Sequence, residues 1–257
     1  PIMNALIGAV GPLQAFLYLG IVFLVAVVLL SLPLSFPPTG WTSGLEAKPA
    51  KTTAPLGEID ISRGEMTKTT AFYALWSTYA IGCLAGLMAI GIASPFGTEV
   101  ARLDATTAAF AVSLFAVFNG IGRPIFGMIT DRTGPRYASM LSFALVLGAS
   151  VALYFAGEGS STVYFVAFSI FWLNLGGWLA LAPTATRILF GMKYYSQNYG
   201  LVFTAYGVGA IVGTSASGTL RDITGTYLTV FPVVMALTVA GMIIAFLALK
   251  PVKTRTS

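Results

Sequence analysis

Seven long apolar stretches dominate this sequence, at about residues 13–36, 71–94, 105–130, 137–156, 162–185, 199–219 and 227–249. A bilayer core about 30 Å thick is crossed by about 20 apolar helical residues. In lipid, backbone polar groups must be satisfied within the segment itself, so each stretch is predicted to be a helix. The sequence therefore predicts an all-α polytopic membrane protein with seven transmembrane helices, in contact with the lipid bilayer.

The composition agrees with this class and excludes several functions. Only 9% of the residues are charged and 56% are hydrophobic, whereas a soluble domain carries about 25% charged residues. Cys83 is the single cysteine and the sequence has no histidine, which excludes an internal disulfide and a Cys/His metal cluster. We find no nucleophile–base pair and no nucleotide-binding loop. The sequence therefore predicts no enzyme activity, no metal and no cofactor.

The cations are distributed unevenly between the two ends of the predicted helices. Of the 14 Lys and Arg residues, Arg102 and Arg221 lie on one side of the predicted membrane, and Arg123 lies within a span. Because cytoplasmic loops carry an excess of Lys and Arg, the other side is predicted to be cytoplasmic in an inner or plasma membrane, with the C-terminus inside. This arrangement explains the net charge of +5 without a nucleic-acid partner. The cytoplasmic cations are Lys48, Lys51, Arg63, Lys68, Arg132, Arg136, Arg187, Lys193, Lys250, Lys253 and Arg255.

One loop differs from all the others. Residues 37–70 are long and rich in proline, lysine, glutamate and threonine, a composition that buries too little apolar surface to fold alone. The predicted organisation is one helix at 1–36, a cytoplasmic linker at 37–70, a six-helix bundle at 71–249 and a cytoplasmic tail at 250–257.

A charged motif follows the third span. Its residues Gly127, Asp131, Arg132, Gly134 and Arg136 fit the pattern G-x-x-x-D-[RK]-x-G-x-[RK]. A glycine allows close helix approach, an aspartate pairs with a cation, and a second glycine permits a tight turn. The motif resembles the loop signature of the major facilitator superfamily.

A rhodopsin-like receptor is the alternative that the seven-helix layout raises, because Asp131 and Arg132 end the third span. The single Cys83 cannot form an extracellular disulfide, and the last span lacks a proline-interrupted polar motif. The long first cytoplasmic loop also argues against a receptor.

Within the superfamily, the sequence resembles the oxalate/formate antiporter family, which includes monocarboxylate carriers. The resemblance implies that the first span corresponds to helix six, the last helix of an N-terminal bundle, and the others to the C-terminal six-helix bundle. It implies partner helices N-terminal to this chain, and we expect the chain alone to insert without transporting. The similar segments are EMTKTTAFYALW (65–76), GLMAIG (86–91), GRPIFG (122–127), NYGLVFTAYG (198–207), GTLRD (218–222) and TGTY (224–227).

Arg123 is the candidate substrate contact. A charged residue inside a membrane helix costs about 2.5–3.5 kcal/mol on insertion scales, so such residues usually have a function. Helical side chains lean toward the helix N-terminus, which directs Arg123 to the midplane, although snorkelling to the nearer interface is the alternative. All nine acidic residues lie in loops or at span ends. The planar guanidinium suits a carboxylate, and the resemblance also implies an anion-binding role.

Further residues are candidates to line the same site. Asn119 lies one turn before Arg123, while Asn174, Trp178, Phe203 and Tyr206 lie on the fifth and sixth spans. Helix–helix packing is the alternative for each of them. Oxalate-type relatives have a second cation, a lysine, near the position of Tyr206.

This departure favours a small monoanion such as formate, lactate or pyruvate over oxalate. The predicted function is secondary active transport of such an anion by alternating access. The alternative is a carrier for another solute, a drug or a sugar, with Arg123 in a structural role.

Overall fold

The computed structural model describes residues 2–35 and 60–250, and the chain divides into two units, Pro1–Ala50 and Lys51–Ser257. The first unit contains α1 (Ile2–Val10) and α2 (Pro12–Ser31). Gly11, with φ +80°, separates them, and Pro12 begins α2 at a position that needs no backbone N–H. The sequence did not predict α1, because a run of nine residues is too short to span a bilayer.

The second unit is a bundle of long helices. It contains α3 (Arg63–Met66), α4 (Thr70–Glu99), α5 (Ala105–Ala156), α6 (Ser161–Phe190), α7 (Tyr195–Thr224) and α8 (Val230–Ala248), with a 3₁₀ turn at Tyr227–Thr229 before α8. All regular elements in the described residues are helical, which confirms the predicted all-α class. By length and composition, six helices could cross a membrane, namely α2 and five in this bundle.

The longest helix, α5, contains two membrane spans. Its 52 residues would measure about 78 Å as a straight rod, far more than a bilayer needs. Gly134 interrupts it with φ +83°, a conformation that glycine adopts without strain. The Phe126 ring packs against Gly177, and the Phe143 ring lies 5.4 Å from the ring of Trp178.

On a straight helix, Phe126 and Phe143 would lie about 25 Å apart, so the chain must reverse at Gly134 to bring both against adjacent residues of α6. We call residues 105–133 the first arm and residues 135–156 the second arm. Counted this way, the described residues contain the seven predicted transmembrane helices.

The helices extend beyond the apolar runs that predicted them. α4, α6 and α7 have 30 residues each, because a helix continues through polar residues until a cap ends it. Asp104 caps α5 by accepting hydrogen bonds from the Thr107 hydroxyl and from the backbone N–H groups of Thr106 and Thr107. These bonds hold the pKa of the Asp104 carboxyl below its ordinary value.

Close glycine contacts bring the helices together. A side chain at Gly122 would overlap the Leu173 carbonyl oxygen, and one at Gly176 would overlap the Asn119 carbonyl oxygen, so the first arm and α6 meet backbone to backbone. Two G-x-x-x-G pairs, Gly82 and Gly86 on α4 and Gly209 and Gly213 on α7, predict faces where helices approach closely, and both pairs lie at helix contacts. A Cβ atom at Gly82 would overlap the Trp178 ring, and one at Gly86 would overlap the Leu175 side chain. On α7, a Cβ atom at Gly209 would lie 2.8 Å from the Ala80 carbonyl oxygen, and one at Gly213 would lie 2.6 Å from the Leu84 carbonyl oxygen.

The end of the predicted linker belongs to the folded bundle. The described residues do not include 37–59 of the predicted linker (37–70) or 251–257 of the predicted tail. The Ile61 N–H donates to the Phe190 carbonyl (3.0 Å), the Asn198 amide donates to the Ile61 carbonyl (2.9 Å), and Met66 is fully buried. Ser62 and Glu65 form a capping box on α3, a sequence signal that marks this packed segment.

The two ends of the bundle provide a test of orientation. Thr98 lies near one end of the bundle, where the Gly159 N–H donates to the Val100 carbonyl. Tyr137 lies near the other end, close to the turn at Gly134. From the distribution of cations we expect a cysteine at 98 to react from outside and one at 137 from the cytoplasm. The corresponding sites near Lys51 and Lys253, also expected inside, lie outside the described residues.

Membrane-impermeant thiol labelling of Thr98→Cys and Tyr137→Cys, each in a Cys83→Ala background, measures this. Cys83 is fully buried, so the small apolar replacement suits its site. Labelling of both positions from the same side would contradict the topology.

Candidate functional site

Arg123 lies on the first arm of α5, with its side chain exposed at the surface of the helix bundle. The described residues contain ion pairs of Arg102 with Glu158, Arg187 with Asp131, and Arg221 with both Glu99 and Asp222. None of these pairs includes Arg123, so no described carboxylate neutralises its charge. It lies eight positions before Asp131, which is about 12 Å along the helix from the span end.

A stripe of neighbouring aromatic rings, the α7 stripe, runs along α7, and its member Tyr206 is within electrostatic range of Arg123. The ring centroids of Tyr195 and Tyr199 are 5.7 Å apart, those of Tyr199 and Phe203 are 5.7 Å apart, and those of Phe203 and Tyr206 are 5.3 Å apart with nearly parallel planes. Of the predicted site residues, the structure thus packs Phe203 against Tyr206, and Arg123 lies within electrostatic range of Tyr206.

Asn119 holds the first arm to α6. Its side-chain amide donates to the Trp172 carbonyl (3.2 Å), and its own backbone carbonyl contacts Gly176. Because this contact fixes the arm one turn before Arg123, Asn119 can position the arginine as well as share its polar surroundings.

Asn174 and Trp178 lie inside the bundle, away from the exposed face that carries Arg123. The Asn174 amide donates to the Ile170 carbonyl (2.8 Å), and its oxygen is buried without a partner in the described part of the chain. The Trp178 ring lies between Tyr79 (6.0 Å) and Phe143 (5.4 Å), and its indole N–H is also buried and unpartnered there. Both side chains therefore retain an unused polar group, but the structure does not place them beside the arginine.

The signature loop connects neighbouring helices at the predicted cytoplasmic end. Asp131 accepts a hydrogen bond from Arg187 of α6 (3.0 Å), and the Arg136 guanidinium lies 4.2 Å from the ring centroid of Phe246 on α8. Gly134 makes the turn between the arms, and Arg132 is exposed. A Cβ at Gly127 would meet Ala180 at an ordinary 3.8 Å, so the closest helix approach lies at Gly122 and Gly176, given above, and not at Gly127.

Tyr79 is a buried tyrosine beside the α7 stripe that sequence reasoning did not single out. Its side chain is fully buried, its ring centroid lies 6.4 Å from that of Phe203, and its hydroxyl has no hydrogen-bond partner within residues 2–35 and 60–250. A single tyrosine inside an apolar span gives no periodic or motif signal, so its position beside the α7 stripe emerges only from the packing.

Comparison with known proteins places the chain in a family. The Major Facilitator Superfamily profile matches residues 1–214. The oxalate:formate antiporter of Oxalobacter formigenes is 28% identical over 214 residues, which cover 83% of this chain and 49% of that protein. Monocarboxylate transporter 13 of Rattus norvegicus is 32% identical over 142 residues, 54% of this chain and 32% of that protein.

An uncharacterized MFS-type transporter of Escherichia coli K12, YhjX, is 27% identical over 161 residues, which cover 63% of this chain and 40% of that protein. The chain thus spans half or less of the length of these relatives. The predicted resemblance to the oxalate/formate antiporter and monocarboxylate carrier group is confirmed, and the receptor alternative falls away. The chain is an integral membrane protein that belongs to the major facilitator superfamily.

Proposed function

We propose that this chain works in secondary active transport of a small monocarboxylate, with formate, lactate and pyruvate as candidates, by alternating access. The observation that carries the proposal is Arg123, a cation within a membrane span for which the described residues provide no carboxylate. Superfamily carriers bind substrate near the midplane between two bundles of helices. An exposed arginine on one face of such a bundle is suitably placed to take part in that site.

The chemistry of the guanidinium favours a carboxylate as the ligand. Its planar fork donates two parallel hydrogen bonds to the two oxygens of a carboxylate. Such a pair also neutralises a charge that is costly inside a membrane. The names of the relatives, an oxalate:formate antiporter and a monocarboxylate transporter, support the same class of substrate. We further propose that the protein lies in the cell membrane with residues 37–70 and the C-terminus in the cytoplasm, as the cation distribution predicts.

The uptake experiment that tests this function uses the protein expressed at full length. We expect labelled pyruvate to enter cells or proteoliposomes by a saturable process that excess formate or lactate inhibits and that a sugar or a hydrophobic drug does not. Inhibition by the sugar or the drug, with no effect of the monocarboxylates, would support the alternative carrier class and contradict our proposal.

Charge counting predicts selectivity among carboxylates. Arg123 can neutralise one carboxylate, and burying a second one without a partner is costly. Tyr206, the α7 side chain within electrostatic range of Arg123, is neutral and offers no such partner. We therefore expect formate and lactate to inhibit uptake more strongly than oxalate, and we expect Tyr206→Lys to improve inhibition by oxalate. Tyr206→Phe is the matched control, since it changes the hydroxyl without adding a charge. Stronger inhibition by oxalate in the unmodified protein would contradict this prediction.

A further inference from the structure

A cleft with two lysines lies at the end of the bundle where α4 begins and α8 ends. Its volume is about 400 Å³. Lys68, Thr69 and Thr70 contribute to its lining from the start of α4, and Leu247 and Lys250 contribute from the end of α8. The cleft therefore combines side chains that are far apart in the sequence, and it has positive charge on both of its helices.

The positive charge of the cleft is not neutralised by the bundle. Within residues 2–35 and 60–250, the ion pairs involve three arginines outside the cleft and neither of its lysines. Glu65 is within electrostatic range of Lys68, but its carboxylate accepts hydrogen bonds from the backbone N–H and the hydroxyl of Ser62. Both lysines are exposed, and the described lining contains no acidic residue.

A second cavity of similar volume shows that a cationic lining is not general in this bundle. It lies between the first arm of α5 and α6, and its lining is apolar apart from Ser169. It therefore offers no charge to hold an anion. The two lysines distinguish the cleft between α4 and α8 from a gap that results only from the packing of apolar helices.

Exposed apolar side chains of α8 continue from the cleft toward the middle of the span. Val239, Ile243 and Leu247 are all exposed, and their spacing of four residues places them on one face of the helix. They extend about 12 Å along α8. Two cations at the end of the span, followed by an apolar strip, are complementary to an amphiphile that has an anionic head and an apolar tail.

We propose that this cleft binds the phosphate headgroup of an anionic phospholipid, with an acyl chain along the exposed face of α8. A lysine ammonium binds phosphate as a point charge, and basic pockets between membrane helices on the cytoplasmic side bind anionic headgroups. The orientation proposed above puts Lys68 and Lys250 on that side. The exposed Leu247 beside the lysines favours a lipid over free phosphate. This site is separate from the proposed anion site at Arg123.

Equilibrium binding to the purified full-length protein in an uncharged detergent tests the inference. We expect labelled dioctanoyl phosphatidylglycerol to bind saturably, and dioctanoyl phosphatidylcholine, whose headgroup has no net charge, not to displace it. Replacing Lys68 and Lys250 together by Gln should weaken binding about thirtyfold, the effect of losing two lysines near a membrane surface. Both side chains are exposed, so this variant should elute from gel filtration as the unmodified protein does.

The matched control replaces Arg63 and Lys193 together by Gln. It removes the same amount of charge from the same end of the bundle, but from residues outside the cleft. Its affinity for phosphatidylglycerol should be close to that of the unmodified protein. An equal loss in the two double variants would show a general attraction to the positive end of the bundle and would overturn the site.

Two soluble competitors separate a lipid from its headgroup alone. Displacement of the label by inorganic phosphate at the concentration where phosphatidylglycerol displaces it would identify a free phosphate site and overturn the lipid assignment. Glycerophosphoglycerol has the same headgroup without acyl chains, and equal competition by it would overturn the role of the α8 face. Equal binding of phosphatidylcholine would overturn the role of the lysines. Because binding is measured without transport, none of these outcomes depends on the uptake of monocarboxylates.

Discussion

Replacing Arg123 by Gln should lower the initial rate of labelled pyruvate uptake by about a hundredfold, the upper range for losing a hydrogen bond to a charged group. Glutamine keeps a polar side chain, but it is shorter than arginine and cannot neutralise the carboxylate. Arg123→Lys should retain part of the rate, because it keeps the charge and loses the two-bond geometry. The fold should survive, since Arg123 is exposed and forms no ion pair in the described part of the chain.

The measurement compares uptake at equal amounts of protein in the membrane. Arg102→Gln is the matched control: it also removes an arginine, but one that pairs with Glu158 at the exposed end of the bundle, where an ion pair is worth about 0–1 kcal/mol. Normal uptake by Arg123→Gln would mean that the anion binds elsewhere and that Arg123 snorkels to the interface.

The largest effect on stability is expected at Gly176. A Cβ there would overlap the Asn119 carbonyl oxygen, and backbone cannot move aside as a flexible side chain can. The first arm and α6 must therefore separate, at a cost of about 3 kcal/mol or more for overpacking a close contact. By the usual relation between stability and melting, Gly176→Ala should lower the apparent Tm by about 6–12 °C.

The buried thiol of Cys83 provides the readout for this prediction. It is the single cysteine of the chain and fully buried, so a thiol-reactive fluorophore reports unfolding on heating of the purified protein. Gly120→Ala is the control on the first arm, because nothing lies within 4 Å of a Cβ built at that position. Equal melting of the two variants would show that the two helices do not depend on this contact.

Features carried by local sequence were predictable. The apolar runs predicted seven spans because lipid imposes a minimum helix length, and Gly134 predicted the turn that divides α5 because a positive φ favours glycine. The glycine pairs on α4 and α7 predicted close helix contacts for a comparable reason: small residues let backbones approach. Each of these predictions depends on residues near one another in the chain.

Features that depend on which face of a helix points inward were not predictable. Trp178 and Asn174 lie on a helix whose surface is apolar on most sides, and in a membrane the lipid-facing and core-facing sides have similar composition. Periodicity therefore gave no direction for α6, and the structure places both side chains in the interior. The approach of Tyr79 on α4 to Phe203 on α7 joins different helices and depends on the packing of the whole bundle.

The central claim, that Arg123 binds the substrate carboxylate, is tested most directly by equilibrium binding. Purified full-length protein is titrated with labelled pyruvate, and bound label is measured without any transport step. We predict saturable binding to the unmodified protein that formate and lactate displace, and no saturable binding to Arg123→Gln protein that elutes from gel filtration as the unmodified protein does. Equal affinity of the two proteins for pyruvate would contradict the assignment of Arg123.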